Sequence, residues 1–162
     1  MVYAPRQRDT AAVCRRGHVA TSRAETVEYG VRCKFCGSEV ITACPACGER
    51  IPGMWQRVAA HYSPPDFCER CGEPYPWLSR QGRIYLLQNI LDEADVSEAE
   101  KLRAREQLDA LTDPDLGEEE QAERWARFRK AAPAVWAGEQ AQRIIGSIVE
   151  VGTRAMIDKY AP

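Results

Sequence analysis

The sequence predicts a mixed chain: a small β-type N-terminal half, residues 1–78, held together by metal-ligand side chains, and an α-helical C-terminal half, residues 79–162. Three observations predict it. All seven cysteines lie between Cys14 and Cys71, so the second half must fold on apolar packing alone. Short runs rich in β-branched residues surround those cysteines. Beyond Ser79, apolar residues recur at three- and four-residue spacing, the period of a helix with one buried face.

A chain of 162 residues holds one ordinary domain, or two small ones if something besides a hydrophobic core secures each. Hydrophobic residues at 44% and charged residues at 28% exclude wholesale disorder and a fibrous repeat. Residues 1–8 contain no apolar run resembling a signal h-region, and nowhere do about eighteen apolar residues follow one another, so a cytoplasmic location is expected. In that reducing compartment closely spaced cysteines are metal ligands sooner than disulfides.

Along the first half, residues 19–22, 26–29, 39–42 and 57–60 read as short strands. Between them stand four ligand pairs: Cys14 with His18, Cys33 with Cys36, Cys44 with Cys47, and Cys68 with Cys71. Zn²⁺ takes four nitrogen or sulfur ligands tetrahedrally, and a Cys-x-x-Cys turn spans one edge of that tetrahedron. Eight ligands therefore make two closed sites with none left over. Gly37, Gly48 and Gly72 each follow the second cysteine of a pair, where a tight turn calls for positive φ. The expected architecture is two zinc ribbons in tandem, with two zinc ions.

Two pairings are open. In sequential order Cys14, His18, Cys33 and Cys36 share one metal, and Cys44, Cys47, Cys68 and Cys71 the other. A cross-brace would join Cys14, His18, Cys44 and Cys47, leaving Cys33, Cys36, Cys68 and Cys71. Sequential pairing closes shorter loops and is favoured on entropy.

Catalytic zinc keeps a coordination position open for water, and eight paired ligands leave none. The deaminase pattern of His-x-Glu is missing, since Val19-Ala20 follows His18 and Tyr62-Ser63 follows His61. No activity is therefore expected, and His61 reads as an exposed loop residue. A rubredoxin-like iron site shares the four-cysteine ligand set.

Charge supplies no polyanion signature. Residues 1–79 carry 10 Lys+Arg against 8 Asp+Glu, and residues 80–162 carry 12 against 16. Counting thiolates and zinc together brings the first half to about −1. Two basic runs remain, Arg6, Arg8, Arg15, Arg16 and Arg23 in the first half and Arg124, Arg127, Arg129 and Lys130 in the second.

After Cys71, the stretch from Pro74 through Tyr75 and Pro76 to Trp77 should be extended and stiff, its two rings covering the second zinc site or docking the helices onto it. Ser79 is a good N-cap for a helix with Ile84, Leu87 and Leu91 on one face. Ser97 and Glu100 form a capping box for a second helix carrying Leu102, Leu108 and Leu111, which Asp113-Pro114 ends. Glu118, Glu119 and Glu120 favour a third helix start, with Trp125, Phe128 and Ala132 behind it. A long amphipathic helix is expected from Pro133 to about Lys159, with Ala141, Ile144, Ile145, Ile148, Val149, Gly152, Ala155 and Met156 as its apolar stripe.

Val13-Cys14, Gly17-His18-Val19, Phe35-Cys36-Gly37, Cys44-Pro45 with Cys47, and Phe67-Cys68 followed by Cys71-Gly72 and Pro74 to Trp77 resemble a family of uncharacterised bacterial proteins with a double zinc ribbon and an amphipathic C-terminal tail. The resemblance covers residues 13–78 and, more loosely, Arg127-Phe128-Arg129-Lys130 with Pro133 and the helix beyond. It implies all eight ligands and the fold, and no activity.

The expected function is a non-enzymatic adaptor, with the ribbons as a recognition surface and residues 133–162 assembling the protein with itself or with a protein partner. The alternative is nucleic-acid binding through the ribbons and arginine runs. A membrane surface is disfavoured, because the polar face of the last helix mixes charge signs.

Overall fold

A computed structural model describes residues 7–56 and 60–160. The chain divides into two compact units, Met1–Leu78 and Ser79–Pro162. The strand expected at 57–60 falls largely outside the described residues.

Among the described residues of the first unit, five short strands form two sheets. Strand β1 (Arg8–Thr10) pairs antiparallel with β5 (Pro52–Trp55). Strands β2 (Ala12–Cys14), β3 (Val19–Thr21) and β4 (Val40–Ile41) form a three-stranded sheet in the order β3-β2-β4. Residue Ala11 joins β1 to β2 and donates its N–H to Ile51 O at 2.9 Å, which stitches the two sheets together. Little apolar surface is enclosed: Ala11, Val13, Ile51 and Tyr75 are buried together with Cys44 and Cys68. A core of that size does not by itself sustain a fold.

The expected strand at 26–29 is instead a turn. The N–H groups of Thr26 and Val27 both donate to Arg23 O, at 3.1 and 2.9 Å, which coils the segment back on itself. The neighbouring Glu25 carboxylate then accepts from Thr10 N–H at 2.8 and 3.0 Å and also binds the Thr10 hydroxyl. A long-range cap outweighs the β propensity of Thr26-Val27.

Strand β5 is threaded tightly. A Cβ built on Gly53 would lie 2.4 Å from Ser22 O and 2.7 Å from Asp9 O. Both obstacles are backbone and neither yields cheaply. Gly53→Ala is expected to destabilise the first unit by about 3 kcal/mol, the upper end of overpacking costs. Thermal melting of the metal-loaded chain checks this; an unchanged midpoint would contradict it.

The second unit is helical: α1 (Arg80–Glu93), α2 (Glu98–Ala110), α3 (Glu118–Ala131), α4 (Pro133–Ala137), α5 (Glu139–Ile148) and α6 (Val151–Tyr160). Ser79 caps α1 by accepting from Gly82 N–H at 3.0 Å, and Ser97 with Glu100 forms the full capping box on α2. Three glutamates in the first turn of α3 and Arg129 and Lys130 in its last complement the helix dipole. Trp125, Phe128 and Trp136 meet at the centre, ring centroids 6.1–6.4 Å apart in edge-on or tilted contacts. Leu102 does not join them. The inward face of α2 is Ala104, Leu108 and the capping Leu111, which leaves Leu102 round the helix and 71% exposed.

The single long helix expected from Pro133 is in fact three short ones. Gly138 (φ −64°, ψ 138°) and Val149 (φ −90°, ψ 121°) are extended and break it at two corners. Glycine loses most entropy on entering a helix, and β-branched residues crowd at 148, 149 and 151. The corners turn the first part of the stripe inward, with Ala141, Ile144 and Ile145 buried in the same core as Trp125, whereas on α6 Thr153 and Ile157 face in and Gly152 and Ala155 of the expected stripe are exposed. Helix α5 packs against α1, and α6 against α3. Among the described residues no helix is long and apolar enough to cross a membrane.

Candidate metal centres

Three of the four ligand loops are built to one plan. In each Cys-x-x-Cys-Gly loop, the first cysteine's N–H donates to the carbonyl five residues on: Cys33 to Ser38, Cys44 to Glu49, Cys68 to Glu73, at 2.7–2.9 Å. The glycine N–H returns to the first cysteine's carbonyl at 2.8–2.9 Å, with φ of +70°, +75° and +74° at Gly37, Gly48 and Gly72. One β-bridge closes each loop: Arg32 with Glu39, Ala43 with Arg50, Phe67 with Pro74. Each loop is thus the tip of a miniature hairpin, and positive φ is what lets the chain turn without strain. The Cys14–His18 loop is one residue longer. Its N–H of Cys14 donates to His18 O, and Gly17 holds φ +90° with its α-carbon against Trp77.

These tips bring the eight predicted ligands into two groups, Cys14, His18, Cys33 and Cys36, and Cys44, Cys47, Cys68 and Cys71. Within each, all ligand atoms lie within 4.8 Å of one another. The pairing is sequential, not cross-braced. Sulfurs stand 3.7 Å apart in Cys14–Cys36, 3.8 Å in Cys44–Cys71 and 3.6 Å in Cys47–Cys68, far beyond a disulfide bond. His18 Nδ1 lies 3.5 Å from Cys14 Sγ and 3.6 Å from Cys33 Sγ.

Those lengths can be compared with a tetrahedron around one ion. Metal–sulfur bonds of about 2.3 Å give S···S edges of about 3.8 Å, and a metal–nitrogen bond of about 2.0–2.1 Å gives S···N edges of about 3.5–3.6 Å. The residues therefore fit: each group could hold one metal ion, with Nδ1 as the imidazole donor. No position is left for a fifth group without expanding the shell.

The loops favour ionisation of one sulfur in each group, while Cys14 in the first and Cys47 and Cys71 in the second are pushed up. The hydroxyl and N–H of Ser38 hydrogen-bond to Cys36 and, with His18 and Cys33 nearby, lower its pKa to about 6. Backbone N–H groups, that of Cys71 foremost, bring Cys68 down to about 6. Ser38 was not singled out in the sequence, yet its place two residues after the second cysteine matches Glu49 and Glu73 in the other loops. That register was the available signal.

Tyr75 lies buried against Cys44 and Cys68 of the second group. Its ring stacks on Trp77, centroids 4.6 Å apart and 9° from parallel, while Trp77 Nε1–H donates to Pro65 O at 2.9 Å. Tyr75 thus covers the second group, while Trp77 extends the stack to Gly17 in the first. His61 is exposed and belongs to neither group.

The first group has an apolar rim. Phe35 is 68% exposed and Val31 79%; Phe35 and Tyr29 line a hollow of about 250 Å³ together with Val19, Glu28, Arg32 and Lys34. Lys34 Nζ sits 5.1 Å above the Phe35 ring. Four arginines of this unit meet carboxylates closely: Arg8 with Glu69, Arg15 with Glu39, Arg50 with Glu25 and Arg70 with Glu49, at 2.7–3.4 Å. In the second unit Arg124 pairs with Glu120, Arg127 with Glu123, and Arg129 with Asp158.

No curated protein and no solved structure matches the chain. A family model does, over residues 7–156, which takes in both ligand groups and the helical unit. The chain belongs to the family described as an uncharacterized protein conserved in bacteria, DUF2321.

Proposed function

We propose that the first unit is a double zinc ribbon holding one structural Zn²⁺ in each ligand group, and that the protein is a non-enzymatic adaptor. The observation that carries this reading is closed coordination beside an exposed apolar rim. Four ligands per group at tetrahedral spacing suit zinc in a structural role. A rigid, metal-held scaffold that leaves Phe35 and Val31 in water presents a recognition surface. Arg32 and Lys34 flank that rim, so the partner that complements it is a protein segment pairing an apolar side chain with acidic neighbours. With Ala141, Ile144 and Ile145 of the stripe turned inward, the first unit is the better candidate for recognition; assembly through those residues would require the second unit to open.

The nucleic-acid reading keeps one favourable feature, since Phe35 under Lys34 resembles a platform on which a base could stack. Against it, most arginines of both runs are committed to carboxylates, and a zinc-loaded first half carries about −1.

Elemental analysis of the purified chain is expected to find two zinc ions; one ion, none, or iron would overturn the metal reading. Replacing Phe35 with Asp should abolish binding of an acidic-apolar peptide, selected from a displayed library on the wild type, by at least about tenfold, the loss typical of an interface anchor. Selection of single-stranded RNA instead, with affinity falling steeply with salt, would favour the alternative.

A further inference from the structure

We propose that Tyr75 is a positioning and tuning residue of the second metal centre, its hydroxyl donating a hydrogen bond to a sulfur of that group, Cys44 or Cys68, once that sulfur is metal-bound. The inference rests on the reading that this group holds an ion. The tyrosine is fully buried, and among the described residues its hydroxyl is a buried side-chain oxygen without a hydrogen-bond partner. Proteins rarely tolerate such an orphan, because burial strips water from it and returns nothing. Its buried polar neighbours are the sulfurs of Cys44 and Cys68, with which it packs in the small core of the first unit.

A neutral thiol is a poor acceptor. Metal binding removes the thiol proton and leaves an anionic sulfur, and hydrogen bonds to ionised acceptors are roughly twice as strong. A metal-bound, anionic sulfur of the cluster it packs in is the acceptor that would satisfy this hydroxyl. A four-cysteine site carries two net negative charges, and on its buried side, at Cys44 and Cys68, a donor offsets part of that charge. The ring cannot swing away, being held by its stack on Trp77 and by the donation of Tyr75 N–H to Asp66 O at 2.9 Å. The first group contains a histidine in place of one thiolate, and no tyrosine hydroxyl is buried against it among the described residues.

The test uses the full chain loaded with ¹¹³Cd, whose two resonances report the two sites separately. Tyr75→Phe keeps the ring and its stack and deletes only the hydroxyl. The four-cysteine resonance is expected to shift while that of Cys14, His18, Cys33 and Cys36 stays in place. Competition with a chelator should show the second site weakened about 10- to 100-fold, as for other groups that orient a ligand. Independently of any variant, the wild type should show a slowly exchanging tyrosine hydroxyl proton coupled to the second cadmium. Two ions bound, but with neither a shift nor that proton, would overturn the hydrogen bond alone. A wild-type chain that takes up no metal would overturn the metal reading, and this inference with it.

Discussion

Cys68→Ser is expected to purify with one zinc in place of two and to lose the fold of the second ligand group, while the helical unit stays intact. Cys68 is 2% exposed and packs with Cys44 and Tyr75 in the small apolar cluster of the first unit. Structural zinc contributes apparent free energies of about 10–16 kcal/mol in small zinc peptides, as much as or more than the whole stability of an ordinary domain. The cluster around Ala11, Val13 and Ile51 has nothing comparable to put in its place. Amide exchange resolved by residue reads the effect directly. Protection should vanish around residues 43–52 and 66–78 and persist from α1 to α6. A variant that keeps both ions, or whose helices melt along with its ribbons, would contradict this account.

Trp125→Ala should act on the other unit alone, costing about 3–5 kcal/mol through lost burial and the cavity left behind. The indole is 1% exposed and touches both Phe128 and Trp136, so no neighbouring side chain can collapse into its space without breaking a second aromatic contact. Leu102→Ala is the matched control, because Leu102 is 71% exposed; its effect should stay within about 0.5 kcal/mol. Far-ultraviolet circular dichroism during urea unfolding measures both. A loss below about 1 kcal/mol for Trp125→Ala would mean that the aromatic cluster is not the centre of the unit. Zinc content should be two per chain in either variant.

The ligand set was legible in the sequence because Cys-x-x-Cys-Gly spacing is local chemistry: each loop's hydrogen bonds run within six residues. Sequential grouping followed from loop entropy, and the geometry agrees with it. Helix starts at Ser79 and Ser97 were readable for the same reason, since a cap bonds within three residues. What the sequence did not show depends on distant neighbours. Strands β1 and β5 contain Asp9, Pro52 and Gly53, residues with poor β propensity, and exist because their backbones pair across more than forty positions. Thr26-Val27 has strand-like composition but turns, because Glu25 is recruited by Thr10. The break at Val149 is equally invisible in periodicity. The apolar stripe continues through it, and only the placement of α1 and α3 decides where each piece must point.

The stacked pair Tyr75–Trp77 has a thermodynamic consequence. One ring walls the second metal group and the other rests on Gly17 in the first, so the two centres share a structural element. Ordering that element for the first ion to arrive means that it need not be ordered again for the second. Uptake should therefore be cooperative, and by linkage each ion must strengthen the other's binding by the same factor, about fivefold or more for a coupling of 1 kcal/mol. A fivefold coupling lowers the greatest share of half-loaded chain from about one half to about one third, so empty and full chains together outweigh it throughout the titration.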